Sequence, residues 1–168
     1  MKAKLIIDGK EFNIKISNPE FEKLLNQSSK TGYERVENGD SYFYVMSDGH
    51  VGVDTDYHGT GHNDDYSVAN YYSDRTVAEN NARADRLIRQ LRRFAVEHGS
   101  QANCWGDPDQ YHYYIMYDYN SKCLFANYNQ SYRGYGAIYF DNNKTAELAI
   151  ETFHDELIWY FTEYEDSL

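Results

Sequence analysis

The sequence has only two cysteines, two prolines and no long apolar run. A membrane-spanning helix needs about 20 consecutive apolar residues, so none is expected. The apolar stretch after Met1 is short and ends at an Asp-Gly turn, which argues against a signal peptide. Thiols stay reduced in the cytoplasm, and we therefore predict that Cys104 and Cys123 are free. These absences favour a soluble cytoplasmic protein with no membrane partner.

Basic residues are also few, with 16 Lys and Arg against 27 Asp and Glu, for a formal net charge of −11. Contacts to nucleic-acid phosphates need Lys and Arg, so direct nucleic-acid binding is not expected and a basic partner is favoured. Tyrosine, by contrast, is abundant, with 18 residues. They exceed what one core needs, and Tyr combines an apolar ring with a hydroxyl that tolerates water.

Residues 1–30 predict a β-hairpin followed by a short helix. Asp8-Gly9 separates two apolar segments and is typical of a two-residue hairpin turn. Ser17 and Glu20 have the spacing of a capping box at the start of a helix.

Later segments match each other in the same order. Residues 42–48 align with 112–118 at an offset of 70, and residues 71–79 align with 139–147 at an offset of 68. Each copy reads as two strands joined by a turn, a loop, a third strand and a helix. The alternative is that aromatic strands followed by Ala-Glu helices resemble one another without a common origin.

The predicted fold class is therefore α+β. An N-terminal ββα element over residues 1–30 is followed by two repeated βββα units with antiparallel sheets. The first unit covers residues 33–98 and the second covers 111–168, with a linker at 99–110.

The helix of the first unit, about residues 76–98, is basic. Its apolar residues recur at helical spacing, which predicts a face that packs on the sheet. Arg86, Arg89 and Arg93 share the opposite face. Three interpretations are open: a solvated face that balances acidic neighbours, an interface with an acidic helix of the same chain or of a homodimer, and an anion site that holds phosphate groups.

The helix of the second unit, about residues 145–164, is acidic. Carboxylates recur every four residues on its outer side, a spacing of about 6 Å that is on the order of one or two nucleotide steps. This spacing is compatible with mimicry of DNA phosphates. The candidate partner-binding residues are Glu147, Glu151, Asp155 and Glu156. The residues predicted to be buried are Leu148, Ile150, Phe153, Leu157, Ile158 and Phe161.

The segment from residue 54 to residue 65 is rich in groups that bind metals. Imidazole and carboxylate groups can supply nitrogen and oxygen ligands to a divalent ion, and glycines would let the loop wrap around it. The spacing matches neither an EF-hand loop nor a zincin helix, so a solvated loop is the alternative. A metal-binding protein or small hydrolase would use Asp54, Asp56, His58 and His62.

The sequence contains no phosphate-cradling glycine loop, nucleophile elbow or paired-cysteine zinc motif. Cys104 could act as a nucleophile beside His98 or His112, but a buried Cys that packs beside Trp105 is the favoured alternative. We therefore predict a non-enzymatic protein without a cofactor.

The segment from Tyr111 to Tyr119 has the alternation of a strand that fills the core with one face and presents the other to solvent or a partner. Exposed Tyr is typical of binding hot spots. A platform that stacks single-stranded bases would need basic surroundings that most of this chain lacks. The predicted aromatic surface consists of Tyr113, Tyr117 and Tyr119.

Three segments, Asn70-Tyr71-Tyr72, residues 91–98 and Ile138-Tyr139-Phe140, resemble small acidic proteins of phages and prophages of Gram-positive bacteria. The likeness covers about residues 66–164 and the N-terminal hairpin. Accessory proteins of this kind, anti-CRISPR inhibitors among them, bind a host protein, in some cases in place of DNA. The resemblance implies an inhibitor in the host cytoplasm that binds a basic, nucleic-acid-binding protein such as a CRISPR effector, and it transfers no catalytic residue. A dimeric structural protein is a further alternative.

Overall fold

The computed structural model describes residues 2–7, 10–15, 31–100, 105–107 and 109–164. The strands in these ranges are β1 (Lys2–Ile7), β2 (Lys10–Lys15), β3 (Ser41–Val45), β4 (Val51–Thr55), β5 (His112–Asp118) and β6 (Cys123–Asn129). The helices are α1 (Thr60–Ser67), α2 (Arg75–Glu97), α3 (Asn143–Thr152) and α4 (His154–Trp159), and a π-helical turn follows at Tyr160–Tyr164. Helices and antiparallel hairpins together confirm the α+β class.

The N-terminal hairpin is present as predicted. β1 and β2 pair in antiparallel register, with Lys2 opposite Lys15 and Ile7 opposite Lys10. The turn at Asp8-Gly9 and the helix predicted after Ile16 lie outside the described residues.

In each of the two repeated units, a single residue pairs with the hairpin where a third strand was predicted. Phe43 in β3 exchanges two backbone hydrogen bonds with Tyr72, at 2.8 and 2.9 Å. Tyr113 in β5 does the same with Phe140, at 2.9 and 2.8 Å. Neither segment continues as a strand, because a helix N-cap follows two residues after each bridge and turns the chain away from the sheet.

Helix α2 agrees with the prediction to within one residue at each end. Its N-cap is Asp74, whose carboxylate accepts hydrogen bonds from the N–H groups of Thr76 at 2.7 Å and Val77 at 3.2 Å. The helix packs on β3 and β4 and also contacts α3. Its buried residues are Ala78, Ala82, Ala84, Leu87, Leu91, Phe94 and Ala95.

The prediction of one continuous helix over residues 145–164 was wrong. α3 ends at Thr152 and α4 begins at His154, with Phe153 between them at φ −114° and ψ 22°. The Phe153 ring packs edge-on against Phe94 of α2, with ring centres 5.5 Å apart. Leu148, predicted to be buried, is 43% exposed. The alanines of α3 fill the core instead, because small side chains let this short helix approach the sheet closely.

The main core lies between α2, α3 and the β5–β6 hairpin. Leu87, Leu91 and Phe94 of α2 meet Phe140 and Leu157 there. None of the helices in the described ranges has both the length and the apolar character needed to cross a bilayer.

Candidate functional site

The outer sides of α3 and α4 carry exposed carboxylates. Glu147 and Glu151 lie on α3 and Asp155 lies at the start of α4. Asn143 Nδ2 donates to Glu147 Oε1 at 2.6 Å, and His154 Nδ1 lies 3.0 Å from Asp155 Oδ1. No Lys or Arg in the described part of the chain forms an ion pair with these three carboxylates. Glu147, Glu151 and Asp155, which we term the acidic face, therefore leave their charge open to a partner.

Glu156, the fourth acidic residue predicted from the sequence, has a different environment. Two guanidinium nitrogens of Arg83 in α2 donate to its carboxylate, Nε to Oε2 at 2.8 Å and Nη2 to Oε1 at 3.1 Å. The guanidinium carbon also lies 3.8 Å from the ring centre of Trp159, which is buried. Glu156 thus ties α4 to α2 and does not present a free charge.

The arginines predicted as a stripe are exposed on α2. Arg89 and Arg93 each lie near a carboxylate four residues away on the same helix, at 3.5 and 3.7 Å. Arg86 Nη2 donates to the carbonyl of Gly49 in the β3–β4 turn at 3.1 Å. Two of the three charges are balanced within the helix, and this favours a solvated face over an anion site or an interface.

The predicted aromatic surface faces largely inward. Tyr113 packs against the main core, and the ring of Tyr117 stacks on Phe161 with centres 6.0 Å apart. Tyr119 is 57% exposed, and its hydroxyl donates to the Phe161 carbonyl at 2.7 Å. Only the last of the three tyrosines therefore has a large solvent-accessible surface.

Another tyrosine pair lies on the same hairpin and was missed from the sequence. Tyr111 and Tyr128 are both exposed, and their rings meet edge to face with centres 4.9 Å apart. The strand register places Tyr128 opposite Tyr113. Alternation alone could not find this pair, because Tyr111 precedes the strand and Tyr128 depends on the register.

The predicted metal-binding segment is organised around Asp56, which is completely buried. Asp56 Oδ2 accepts hydrogen bonds from Arg35 Nε and from the Tyr71 hydroxyl, both at 2.9 Å. Asp56 Oδ1 accepts one from the His58 N–H at 2.6 Å. The Arg35 guanidinium holds the pKa of the Asp56 carboxyl far below its ordinary value, while burial raises the pKa of Tyr71 to about 12. The protein itself therefore supplies the groups that satisfy this carboxylate.

The remaining candidate ligands surround this network. His58 Nε2 and His62 Nδ1 lie 3.7 and 3.4 Å from the Asp56 carboxylate, and His62 Nε2 lies 3.8 Å from Asp54 Oδ2. His62 belongs to α1, so this part of the segment is a helix and not the loop that both interpretations of the sequence assumed. No three His, Cys, Asp or Glu among the described residues are grouped so that they could hold a metal ion. This geometry favours a structural network.

The thiol site considered from the sequence is only partly visible. Cys104 lies outside the described residues, and Cys123 is a free, exposed cysteine. His112 is buried and stacks on Trp105, with ring centres 3.8 Å apart.

Comparisons with protein-family models, curated proteins and solved structures found no match to this chain. Its function must therefore be argued from its own surfaces.

Proposed function

We propose that this chain is a non-catalytic binding protein whose acidic face engages a basic, nucleic-acid-binding host protein. One observation carries the proposal. Glu147, Glu151 and Asp155 are exposed, and no Lys or Arg in the described residues forms an ion pair with them. Most arginines of α2, in contrast, are already paired with carboxylates.

Charge complementarity would act mainly on the encounter between the two proteins. A net charge of −11 attracts a basic partner over a distance of about one Debye length, roughly 10 Å at 0.1 M salt. Unpaired surface charges speed association and exclude acidic partners more than they tighten the final complex. Binding should therefore weaken strongly as salt is added.

Two finer points belong to the same proposal. The acidic face would occupy the site that DNA or RNA phosphates use on the partner, as in phage inhibitors of host defence. The two units would also derive from one duplicated βββα ancestor. This second point is supported by the matching bridges at Phe43 and Tyr113 and by the helix caps Asp74 and Asn142, which are separated by the offset of 68 found in the sequence.

The test compares two triple charge reversals with the same change in net charge. The first replaces the acidic face by Glu147→Lys, Glu151→Lys and Asp155→Lys. The control reverses three exposed carboxylates of the first unit, by Glu37→Lys, Asp40→Lys and Asp64→Lys.

Each protein is immobilised and exposed to a nuclease-treated lysate of a Gram-positive host at low and high salt. We expect the wild type and the control to retain a basic protein at low salt, and DNA added afterwards to displace it. The acidic-face variant should not retain it. Equal recovery by both triple variants, or recovery that salt and DNA do not change, would contradict the proposal.

A further inference from the structure

The turn that leads into β3 contains an Asn-Gly pair, the only one in the chain. The Glu37 carbonyl accepts a hydrogen bond from the Asp40 N–H at 3.0 Å, so residues 37–40 form a four-residue turn. Gly39 holds its third position with φ +96°, a conformation that glycine adopts at little cost. Asn38, which precedes it, is exposed. The turn therefore favours the glycine and leaves Asn38 accessible to water.

An Asn that precedes a Gly can modify itself. The backbone nitrogen of the Gly attacks the side-chain Cγ of the Asn, and the new N–C bond closes a succinimide ring. The Cγ–Nδ2 bond breaks, and the proton of the Gly N–H leaves with the side-chain nitrogen as ammonia. Water then opens the ring at either of its C–N bonds, which gives Asp or isoaspartate. Asn is a thermolabile residue, and a Gly that has no Cβ leaves its nitrogen unhindered for this attack.

The attacking nitrogen is engaged in this fold. The Gly39 N–H donates to the carbonyl of Asp56 at 2.7 Å, just beyond the end of β4. The Asp56 N–H in turn donates to the carbonyl of Asp40 at 2.9 Å. The nitrogen of Gly39 attacks only after its proton has been removed, and the hydrogen bond keeps that proton away from solvent bases. Attack on Asn38 therefore requires this end of the hairpin to open.

The acceptor residue is itself held in place by its side chain. Asp56 is completely buried, and its carboxylate accepts hydrogen bonds from Arg35 and from the Tyr71 hydroxyl. Opening of the hairpin end would disturb a buried ion pair, which is a costly event. The network around Asp56 therefore protects Asn38, although it does not contact the Asn38 side chain itself.

We propose that Asn38 is a self-modification site that the closed end of the hairpin suppresses, and that local opening allows its conversion to Asp or isoaspartate. Water is the only other reactant. Isoaspartate places an additional carbon in the main chain before Gly39, so the Gly39 N–H would no longer meet the Asp56 carbonyl in the same position. A transient opening would thus leave a permanent change at the hairpin end.

This inference does not rest on the proposed function. Asn38 lies in the first unit, whereas the acidic face lies in the second. The experiments use the purified protein without a partner, so their outcome is independent of whether a basic protein is captured.

The first experiment follows Asn38 by peptide mapping and mass spectrometry during incubation in a mildly alkaline buffer. The folded protein is compared with the same chain unfolded in guanidinium chloride. We expect modification to be at least about tenfold slower in the folded protein, because opening must precede attack. Asn38→Ser should abolish the mass change of this peptide. Equal rates in the folded and unfolded chains, or an unmodified Asn38 in the unfolded chain, would overturn the proposal.

The second experiment measures hydrogen exchange of the Gly39 amide by NMR. One opening event frees its proton for exchange and its nitrogen for attack. The two protection factors, each taken relative to the unfolded chain, should therefore agree within about threefold. Slow modification of Asn38 beside an unprotected Gly39 amide would show that the hydrogen bond to Asp56 is not the cause, and it would contradict the proposal.

The matched protein variants are Asp56→Ala and Asp64→Ala, which introduce no new Asn. Asp56→Ala removes the acceptor of Arg35 and should speed both exchange at Gly39 and modification of Asn38 at least about tenfold, because it favours opening. Asp64 is exposed on α1, so Asp64→Ala should leave both rates unchanged. Wild-type modification rates in a folded Asp56→Ala protein would contradict the proposal. If that variant does not fold, the agreement of the two wild-type protection factors decides it.

Discussion

Arg35 and Asp56 form an ion pair whose carboxylate is completely buried, with Arg35 Nε 2.9 Å from Asp56 Oδ2. Arg35 precedes β3 and Asp56 follows β4, so the pair connects the two strands of the β3–β4 hairpin at the end opposite its Asp48-Gly49 turn. The Tyr71 hydroxyl and the His58 N–H supply further donors to the same carboxylate. The Arg35–Asp56 pair adds to the backbone hydrogen bonds that join Asp56 to Gly39 and Asp40 at the same end of the hairpin, at 2.7 and 2.9 Å.

Asp56→Asn should lower the free energy of unfolding by about 2–4 kcal/mol, because Arg35 loses its buried counter-charge and one acceptor oxygen is replaced by an NH2 group that faces other donors. Urea denaturation followed by intrinsic fluorescence measures this change. Asp64→Asn is the control, since Asp64 is exposed on α1, and it should change the free energy by less than about 0.5 kcal/mol. Similar losses in both variants would contradict a structural role for Asp56.

Depressed carboxyl pKa values, those of Asp56 and Glu34 among them, predict the acid sensitivity of the fold. Arg35 lowers the pKa of Asp56, and hydrogen bonds led by the Thr31 N–H lower that of Glu34 to about 2. The unfolded chain, with carboxyl pKa values near about 4, then binds more protons than the folded one. The stabilisation is complete above about pH 5 and is lost as the pH falls toward about 2.

Glu34→Gln should flatten this dependence, and the variant should lose less stability than the wild type when the pH falls from 5 to 3. Urea denaturation at a series of pH values provides the measurement. Glu37→Gln serves as the control because Glu37 is exposed and has no side-chain hydrogen bond among the described residues. An unchanged pH profile for Glu34→Gln would exclude this carboxylate as a source of the acid sensitivity.

The contact of Arg83 with Glu156 and Trp159 should stabilise the packing of α4 on α2. Both charged side chains are about 40% exposed, and their coupling is therefore expected to be only about 1 kcal/mol. A double-mutant cycle with Arg83→Ala and Glu156→Ala measures it. Arg83→Lys should lose most of the coupling, since Lys keeps the charge but not the paired hydrogen bonds or the flat stacking surface.

The same cycle for Arg89 and Asp85 is the control. This pair is exposed and its atoms are 3.5 Å apart, so a coupling of about 0.3 kcal/mol is expected. Equal coupling energies for the two pairs would show that the contact of Arg83 with Glu156 is no stronger than an ordinary exposed ion pair.

Local features of the chain could be predicted well from the sequence. The Asp-Gly spacing gave the N-terminal hairpin, and the apolar periodicity of residues 76–98 gave α2 and its buried face. The acidic residues Glu147 and Glu151 were identified correctly as exposed, because a charged side chain on an amphipathic helix rarely faces the core.

Features that depend on distant residues could not be predicted. At the break between α3 and α4, Phe153 packs against Phe94, which lies 59 positions earlier in the chain. The partner of Asp56 is Arg35, 21 positions away, and no local pattern selects that arginine over others. The Asn70 side-chain amide bonds the N–H and C=O of Val45 at the outer edge of β3. This contact also depends on strand register, which the sequence does not specify.

Gly32→Ala should strongly destabilise the protein. Gly32 has φ +86°, and an added Cβ would lie 2.6 Å from Cγ2 of Val77 in α2. Backbone strain and the clash should together lower the free energy of unfolding by about 2–4 kcal/mol, measured by urea denaturation.

Gly39→Ala separates the two causes. Gly39 also has a positive φ, +96°, but no atom lies within 4 Å of an added Cβ. Only the backbone cost of about 1 kcal/mol is expected there. Equal losses at both positions would show that the contact with Val77 relaxes without cost.

Tyr111 and Tyr113 should have opposite effects on binding and stability. The exposed Tyr111 ring can contact a partner, so Tyr111→Ala should weaken capture of the basic host protein about tenfold and leave stability nearly unchanged. Tyr113 packs against the core, and Tyr113→Ala should lower the free energy of unfolding by about 3 kcal/mol. Tyr132→Ala controls for the loss of any exposed ring, since Tyr132 is 80% exposed. Urea denaturation measures stability, and titration of the captured protein measures binding. Equal weakening of capture by Tyr111→Ala and Tyr132→Ala would show that the Tyr111 ring makes no specific contact with the partner.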